Sequence, residues 1–397
     1  MKKYCKNIDI TDRSLIQKAT YDCLADKYTR NDVLILFAGI SGMKKHEIYA
    51  IHQMHGRVML RGHVELLVNI IRKELLNKNI IFPDIWYMDK EDNSSRKLRH
   101  IGIQNVKQQI YDYIAVEGLR PLLRRIGEHQ MASIRGRGQT FGVRKIRRWL
   151  RNRSINYYAK MDIRKCYPSI DKLKLMQFLE RHIKNDMLLW LIDKLVHTFE
   201  EGLSIGSYLS QFLCNLYLSQ IYHFIGHLHK QRKSRSNGNI TRIPLVHHRL
   251  MFMDDILLLG TSLKDVRKAA NEIIKYCETE LGLTIKSGWF IQKLTVNRAN
   301  EFIDMMGFRM YRNRTTIRRR VFKRIRRLAI RMYRNIKTHV KINVSNARTA
   351  LSYWGVLKNS DSYMFIKKYH IEEINRVCKE VIRSYDKGKI CRGTIAC

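Results

Sequence analysis

Acidic residues are scarce in this chain. Its 397 residues hold 35 Asp and Glu against 75 Lys and Arg, a formal charge of +40 with a pI near 10.1. So large a surplus of one sign repels itself on compaction, so a polyanionic partner is expected. Nucleic acid is the commonest, and an anionic membrane surface is the alternative. Long apolar runs are also missing. No stretch approaches the roughly 18 uninterrupted apolar residues of a spanning helix, and Met1 to Lys6 leads to Asp9 and Asp12 without an apolar leader segment. A cytoplasmic protein with no membrane partner is the expectation. None of the eight cysteines (Cys5, Cys23, Cys166, Cys214, Cys277, Cys378, Cys391 and Cys397) belongs to a CxxC pair. That argues against the common zinc spacings and supplies no disulfide framework. His223 and His227 stand four apart without the Glu that a zinc protease needs. Internal repeats and low-complexity segments are lacking as well.

What is present suits a sizeable core: 45% of residues are hydrophobic, enough for two or three sub-domains. Residues 1 to about 90 read as helical, with apolar spacings of three and four over Leu15–Leu24 and Val64–Leu76. From Trp86 to Ile103 a short apolar piece, a polar turn and the basic-apolar alternation of Arg96–Ile103 predict a hairpin. Lys97 and Arg99 fall on one face of its second strand, a plausible clamp for a triphosphate. The segment Ser133–Gly142 combines three glycines with Arg135 and Arg137, and a helix from Val143 to Leu150 follows. Its N-terminus and the cations Arg144, Lys145, Arg147 and Arg148 suit an anionic backbone. A Walker A ending is absent, which favours nucleic acid over a nucleotide.

Two acidic elements stand out. Ile155–Asp162 reads as a strand ending in an acid, and Ser169 or Asp171 is placed to cap the helix beyond it. Downstream, Asp254 and Asp255 lie between the apolar runs Leu250–Met253 and Ile256–Leu259, so they fall in the turn of a hairpin. An Asp-Asp pair in a turn is ordinary by itself. Carboxylates beside apolar strands nevertheless need a cation, and Mg²⁺ with its hard oxygen ligands is the usual one in phosphoryl transfer. Two strands of one sheet would bring Asp162 to the pair. Between these elements, 172–201 reads as one or two amphipathic helices ended by Gly202. A glycine-bearing loop (Gly202–Gln211) then suits a flat partner such as a base pair, and Phe212–Phe224 reads as a buried helix. Lys230–Asn239 reads as a polar loop tip. Leu263–Leu281 is a helix closed by Gly282, and Glu301–Tyr311 a further hairpin. Arg312–Arg334 carries eleven basic residues and no acidic one, with apolar residues at helical spacing, and predicts a helix that needs phosphates opposite it.

In this order the blocks resemble a reverse transcriptase. They are an acid in a strand with an aromatic five residues on (Asp162, Tyr167), a Gly-x-x-x-Ser loop (Gly206, Ser210), an aromatic-Met-Asp-Asp hairpin, Gly282 with Lys286, and a Gly-Phe hairpin (Gly307, Phe308). The resemblance covers about residues 85 to 370. It implies an α+β right-hand polymerase: a helical region 1–84 leading into fingers, fingers at 85–155, a palm at 156–311, and a basic helical thumb and tail at 312–397. It further implies that Asp162, Asp254 and Asp255, with Ile163, hold two Mg²⁺ ions roughly 3.5–4 Å apart, for which Mn²⁺ can substitute. Lys97 and Arg99 would neutralise the incoming dNTP, and Tyr167 would exclude a ribose 2′-OH. Ile205, Gly206, Ser210 and Gln211 would face the nascent pair, and Lys286 is the match for a general acid. Arg318, Arg319, Arg320, Lys323 and Arg327 would lie along the duplex of template RNA and cDNA.

One departure narrows the resemblance. Many members carry Gln-Gly where this chain has Ile205-Gly206, and Ile-Gly-x-x-x-Ser-Gln looks like the enzymes of diversity-generating retroelements and of some antiphage defence relatives. An apolar β-branched side chain cannot hydrogen-bond a template or nucleotide as glutamine can, which implies lower copying fidelity. Diversity-generating relatives work with a small basic accessory protein that forms a pentamer, a partner the resemblance extends to this chain. No maturase, endonuclease or RNase H segment is recognised. A catalytically inert RNA-binding protein on a polymerase fold is the reading from another class.

Overall fold

The computed structural model describes residues 3–55, 60–91, 98–233, 238–294 and 301–394; for residues 55 and 386–394 it describes the backbone alone. Helices α1 (Arg13–Leu24), α2 (Asn31–Ser41), α3 (Lys45–His55) and α4 (Arg61–Leu76) come first. Asp12 caps α1 by accepting from the Ser14 N–H, and Ile16, Ala19 and Cys23 of α1 bury against Val64, Leu67, Val68 and Ile71 of α4. Next are an antiparallel ribbon of β1 (Trp86–Glu91) and β2 (Leu98–Ile103) and the helix α5 (Val106–Leu119). Lys97 lies outside the described residues, whereas Arg99 is exposed in β2, opposite Lys90. Helix α5 is apolar nearly all round and sits inside the first core with Ile110, Tyr111, Ile114 and Ala115 fully buried.

The central sheet is built from β3 (Gln130–Met131), β4 (Tyr157–Asp162), β7 (His248–Phe252), β8 (Asp255–Gly260) and β9 (Phe290–Lys293) in the order β3-β7-β8-β4-β9. Between β3 and β4 lies α6 (Gln139–Leu150). Between β4 and β7 lie α7 (Lys172–His182), α8 (Asp186–Val196), α9 (Tyr208–His227) and the ribbon β5 (His229–Lys233) and β6 (Ile240–Pro244). Only β3 runs parallel to its neighbour. Alternation along the strands divides two cores. Ala159, Met161, Ile256 and Leu258 face the core shared with α1, α4, α5, α8 and α9, and with α10 (Leu263–Tyr276). Tyr158, Leu250, Leu257 and Leu259 face a second core. That core holds α6, the small sheet β10 (Ile303–Met305), β11 (Phe308–Met310) and β12 (Thr315–Ile317), and helices α11 (Arg319–Lys337), α12 (Val344–Lys358), α13 (Tyr363–Lys368) and α14 (Ile371–Thr394). With both faces covered, the near-continuous apolar run Ile256–Leu259 has a place to bury.

Several expectations change. Lys230–Asn239 is not a plain loop tip, because residues 229–233 pair with 240–244. The basic helix begins at Arg319, since Thr315–Ile317 pairs with β11 first. Arg312, expected to open that helix, turns inward and donates to the carbonyls of Leu150, Asn152, Ile155 and Leu294. A guanidinium has five donors and satisfies several orphan carbonyls at once, so this arginine stitches strands together. Between the two candidate caps of α7 the structure selects Asp171, which accepts from the Lys174 N–H at 3.0 Å.

Candidate active site

The register of two strands builds the site. β4 and β8 run antiparallel with Asp162 directly opposite Asp255, and Asp255 in turn is opposite Phe252 across the hairpin. Cross-strand partners project from the same face, so the Asp162 and Asp255 carboxylates are neighbours at one end of the sheet. Asp254 occupies the turn, which Met253 closes with a left-handed φ of 52°. A backbone hydrogen bond from the Ile163 N–H to the Asp254 carbonyl, 3.3 Å, fastens the turn to the end of β4. Beyond Gly282, whose φ of 67° ends the helical segment after α10, Ile285 bridges to Ile163 and the Lys286 N–H donates to the Asp162 carbonyl at 2.8 Å. Lys286 Nζ then reaches the Asp162 carboxylate itself.

Three like charges in so small a space shift their neighbours. Burial, followed by the charge of Asp162, pushes Asp254 up to about 6, and Asp255 is raised by burial against the pull of Lys160. Lys160 lies two residues before Asp162 on the same face. Its Nζ is 3.6 Å from Asp255 Oδ1 and donates to the Asp304 carbonyl at 3.0 Å. Arg318, expected on the duplex, pairs with the Asp304 carboxylate, and its charge also acts on Asp255.

Among the described residues, no three His, Cys, Asp or Glu side chains close into a metal cage. Two lysines take up the outer carboxylates. The chemistry of the donors nonetheless suits a hard divalent cation: the Asp162 and Asp255 carboxylates are cross-strand neighbours with Asp254 in the adjoining turn, and Asp254 has no ion pair among the described residues, only its own backbone N–H and the charge of Lys286 to favour its anion. A cation there would offset the burial and the Asp162 charge that together raise Asp254.

Other candidate residues surround this end of the sheet. Tyr167 is half-buried, its phenol raised by burial and, more weakly, by the charge of Asp254. Its carbonyl accepts from the Leu203 N–H at 2.9 Å, and a Cβ at Gly202 would strike the carbonyls of Tyr167 and Pro168 at 2.6 and 2.5 Å. Glycine there lets the loop before α9 lie on the Tyr167 segment. Gly206 (φ 114°) is exposed, Ile205 half-buried, and Ser210 buried in the first turn of α9. Gln211 accepts from Ser133 Oγ at 2.9 Å. Ala132 and Ser133 are both left-handed, with φ of 72° and 53°. They join the two halves of the site: Asn215 of α9 donates to the Ala132 carbonyl at 2.9 Å, and the Met253 N–H to the Met131 carbonyl at 3.4 Å. Arg135, Arg144 and Arg148 are exposed, but Arg137 turns back to donate to the Gly127 carbonyl at 2.6 Å. On α11, Arg319, Arg320, Lys323 and Arg327 all lie on the exposed face.

Sequence reasoning passed over Lys160 and Asp304. For Lys160 a signal existed, since a residue two before a strand acid shares its face; for Asp304 only the tertiary fold supplies one. The family model described as reverse transcriptase (RNA-dependent DNA polymerase) matches residues 88–308, more than half of the chain. No curated protein matches. That span contains both acidic strands, the loop before α9 and Lys286, and the chain belongs to the reverse transcriptase family, as an RNA-directed DNA polymerase.

Proposed function

We propose that the chain copies RNA into DNA on a right-hand frame, with residues 1–84 leading into fingers at 85–155, a palm at 156–311 and a thumb and tail at 312–397. Asp162, Asp254 and Asp255, with the main chain of Ile163, hold two Mg²⁺ ions, and Mn²⁺ can substitute. The observation that carries this reading is the direct register of Asp162 with Asp255, with Asp254 fastened beside them by the Ile163 hydrogen bond. When bound, the ions supply the positive charge that activates a primer hydroxyl and stabilises departing pyrophosphate.

The chain's own residues do the rest. Tyr167, seated by Gly202, presents its ring against a ribose 2′-OH and makes dNTPs the substrates. Lys97 and Arg99 offset the triphosphate charge. Lys286 holds a proton at Nζ and is the general acid for the leaving group. Arg135, Arg144, Arg148, Arg319, Arg320, Lys323 and Arg327 face the phosphates of the template RNA and the RNA–cDNA duplex. Arg137 and Arg318 serve that surface by shaping it, since each has a partner within the protein.

The biological setting we propose is a diversity-generating retroelement, with an error-prone enzyme and a small basic accessory protein. The apolar Ile205 beside Gly206 supports the error-prone copying, and an antiphage defence role is the alternative setting. Primer extension on an RNA template with Mg²⁺ tests the chemistry: wild type extends and Asp254→Asn does not, whereas equal extension by the two overturns it. Misincorporation opposite template adenine tests the setting, with Ile205→Gln expected to lower the error rate and equal rates rejecting it.

A further inference from the structure

Asp112 lies in α5, far along the chain from the acidic strands, and is 1% exposed. Among the described residues no lysine or arginine pairs with it, and hydrogen bonds solvate it. Its Oδ2 accepts from Ser207 Oγ at 2.7 Å and from the Leu209 N–H at 3.5 Å, with the Tyr208 N–H as a further donor. Its Oδ1 accepts from Gln104 Nε2 at 3.3 Å.

These donors belong to different parts of the molecule. Gln104 immediately follows β2. Ser207 is the N-cap of α9, its Oγ accepting from the Ser210 N–H at 3.0 Å. Tyr208 and Leu209 are the first residues of α9, whose unpaired N–H groups and dipole favour an anion at that end. One buried carboxylate thus joins the exit of β2 to the start of α9. The loop before α9 is seated on β2: a Cβ at Gly102 would meet Ser204 Oγ at 2.5 Å, and one at Gly206 would meet the Gly102 carbonyl at 3.3 Å. The height of Ile205 and Gly206 above β2 is therefore fixed from beneath by glycine and from the side by Asp112. A neutral core would cap α9 at lower desolvation cost, since Ser207 alone already serves as the N-cap.

We propose that Asp112 is a positioning residue for the nascent base pair, acting through Ser207 and the first turn of α9 to hold the Ile205–Gly206 loop in register with β2. This rests on the reading of that loop as a nucleotide-facing surface. Asp112→Asn keeps the size and the acceptor for Gln104 but replaces one acceptor by a donor that opposes the N–H groups of α9. Single-nucleotide incorporation on an RNA template is the test, for wild type, Asp112→Asn, Ser207→Ala and Ile205→Gln. Asp112→Asn and Ser207→Ala are expected to raise KM for the correct dNTP about tenfold, to leave kcat within about threefold, and to change the ratio of incorrect to correct incorporation. A merely structural role would lower Tm and the active fraction while leaving KM and that ratio unchanged, and this result overturns the proposal. If Ile205→Gln alters incorporation while Asp112→Asn does not, the positioning role fails and the loop reading stands. If Ile205→Gln, Ser207→Ala and Asp112→Asn all leave KM and the ratio unchanged, the loop reading itself fails, and the proposal with it.

Discussion

Two hairpins follow one another between α9 and α10, and they treat charge in opposite ways. The ribbon of β5 and β6 carries Lys230, Arg232, Lys233 and Arg242 on strands open to solvent, and an ion pair of Lys230 with Asp265 at 2.5 Å ties its root to α10. The hairpin of β7 and β8 buries Leu250, Leu257 and Leu259 on one face and Met251, Ile256 and Leu258 on the other, then places Asp254 and Asp255 at its tip. Exposed charges keep their hydration and perturb little, whereas carboxylates pressed against an apolar sheet and each other are raised. Only the second arrangement stores a demand for a cation, and such demands mark functional sites.

The comparison breaks first on activity. Asp254→Asn and Asp162→Asn are each expected to lower primer extension by about a thousandfold or more, the scale of losing metal-assisted charge stabilisation. Lys233→Gln with Arg242→Gln should leave single-nucleotide kcat within about twofold, as steady-state kinetics will show.

Acidity gives the next largest contrast. Asp254 must be ionised to hold a cation, so the metal-free protein's affinity for Mg²⁺ should weaken as pH drops through about 6, and activity at limiting Mg²⁺ should weaken with it. Stability moves the other way. The native carboxyl keeps its proton to higher pH than in the unfolded chain, so the native state binds more protons between the ordinary carboxylate range and about 6. Unfolding free energy therefore declines as pH rises through that window, and Asp255 and Asp112, raised in the same direction, add to the slope. Asp254→Asn should be more thermostable than wild type above about pH 6 and flatter in its Tm-pH profile.

Lys160 sharpens the comparison from within the site. Lys160→Met removes the nearest cation from Asp255 while keeping the aliphatic packing, and is expected to cost about tenfold in kcat and to move the acid limb of the pH-rate profile upward. The smallest effect belongs to the ribbon: Lys233→Gln and Arg242→Gln should each shift unfolding free energy by less than about 0.5 kcal/mol in urea titrations, as exposed surface changes do.

What was legible in the chain was what local pattern specifies. The run of Leu250–Leu259 with two acids at its centre can hardly be anything but a hairpin, and the strand ending at Asp162 follows from the acid that stops its apolar alternation. Helix periodicity likewise fixed α1, α4 and α10. The remainder depends on partners distant in sequence. Nothing within Lys230–Asn239 reveals that the residues on either side of its centre, 229–233 and 240–244, pair. Nothing near Arg312 reveals four carbonyls waiting for it, so its charge read as part of a basic helix that starts seven residues later. From sequence Arg137 and Arg318 likewise look like cations for nucleic acid, because the Gly127 carbonyl and the Asp304 carboxylate that hold them are supplied by tertiary structure. Asp112 gave no signal at all, being one acid in a helix whose neighbours are apolar.

Direct cation binding tests the convergence of the three acids most closely. In a Mn²⁺ titration followed by electron paramagnetic resonance, without nucleic acid, wild type should bind saturably, and Asp162→Asn and Asp254→Asn should each lose that binding while keeping a wild-type circular dichroism spectrum. Undiminished Mn²⁺ binding by both variants would contradict a site shared between β4 and the β7–β8 turn.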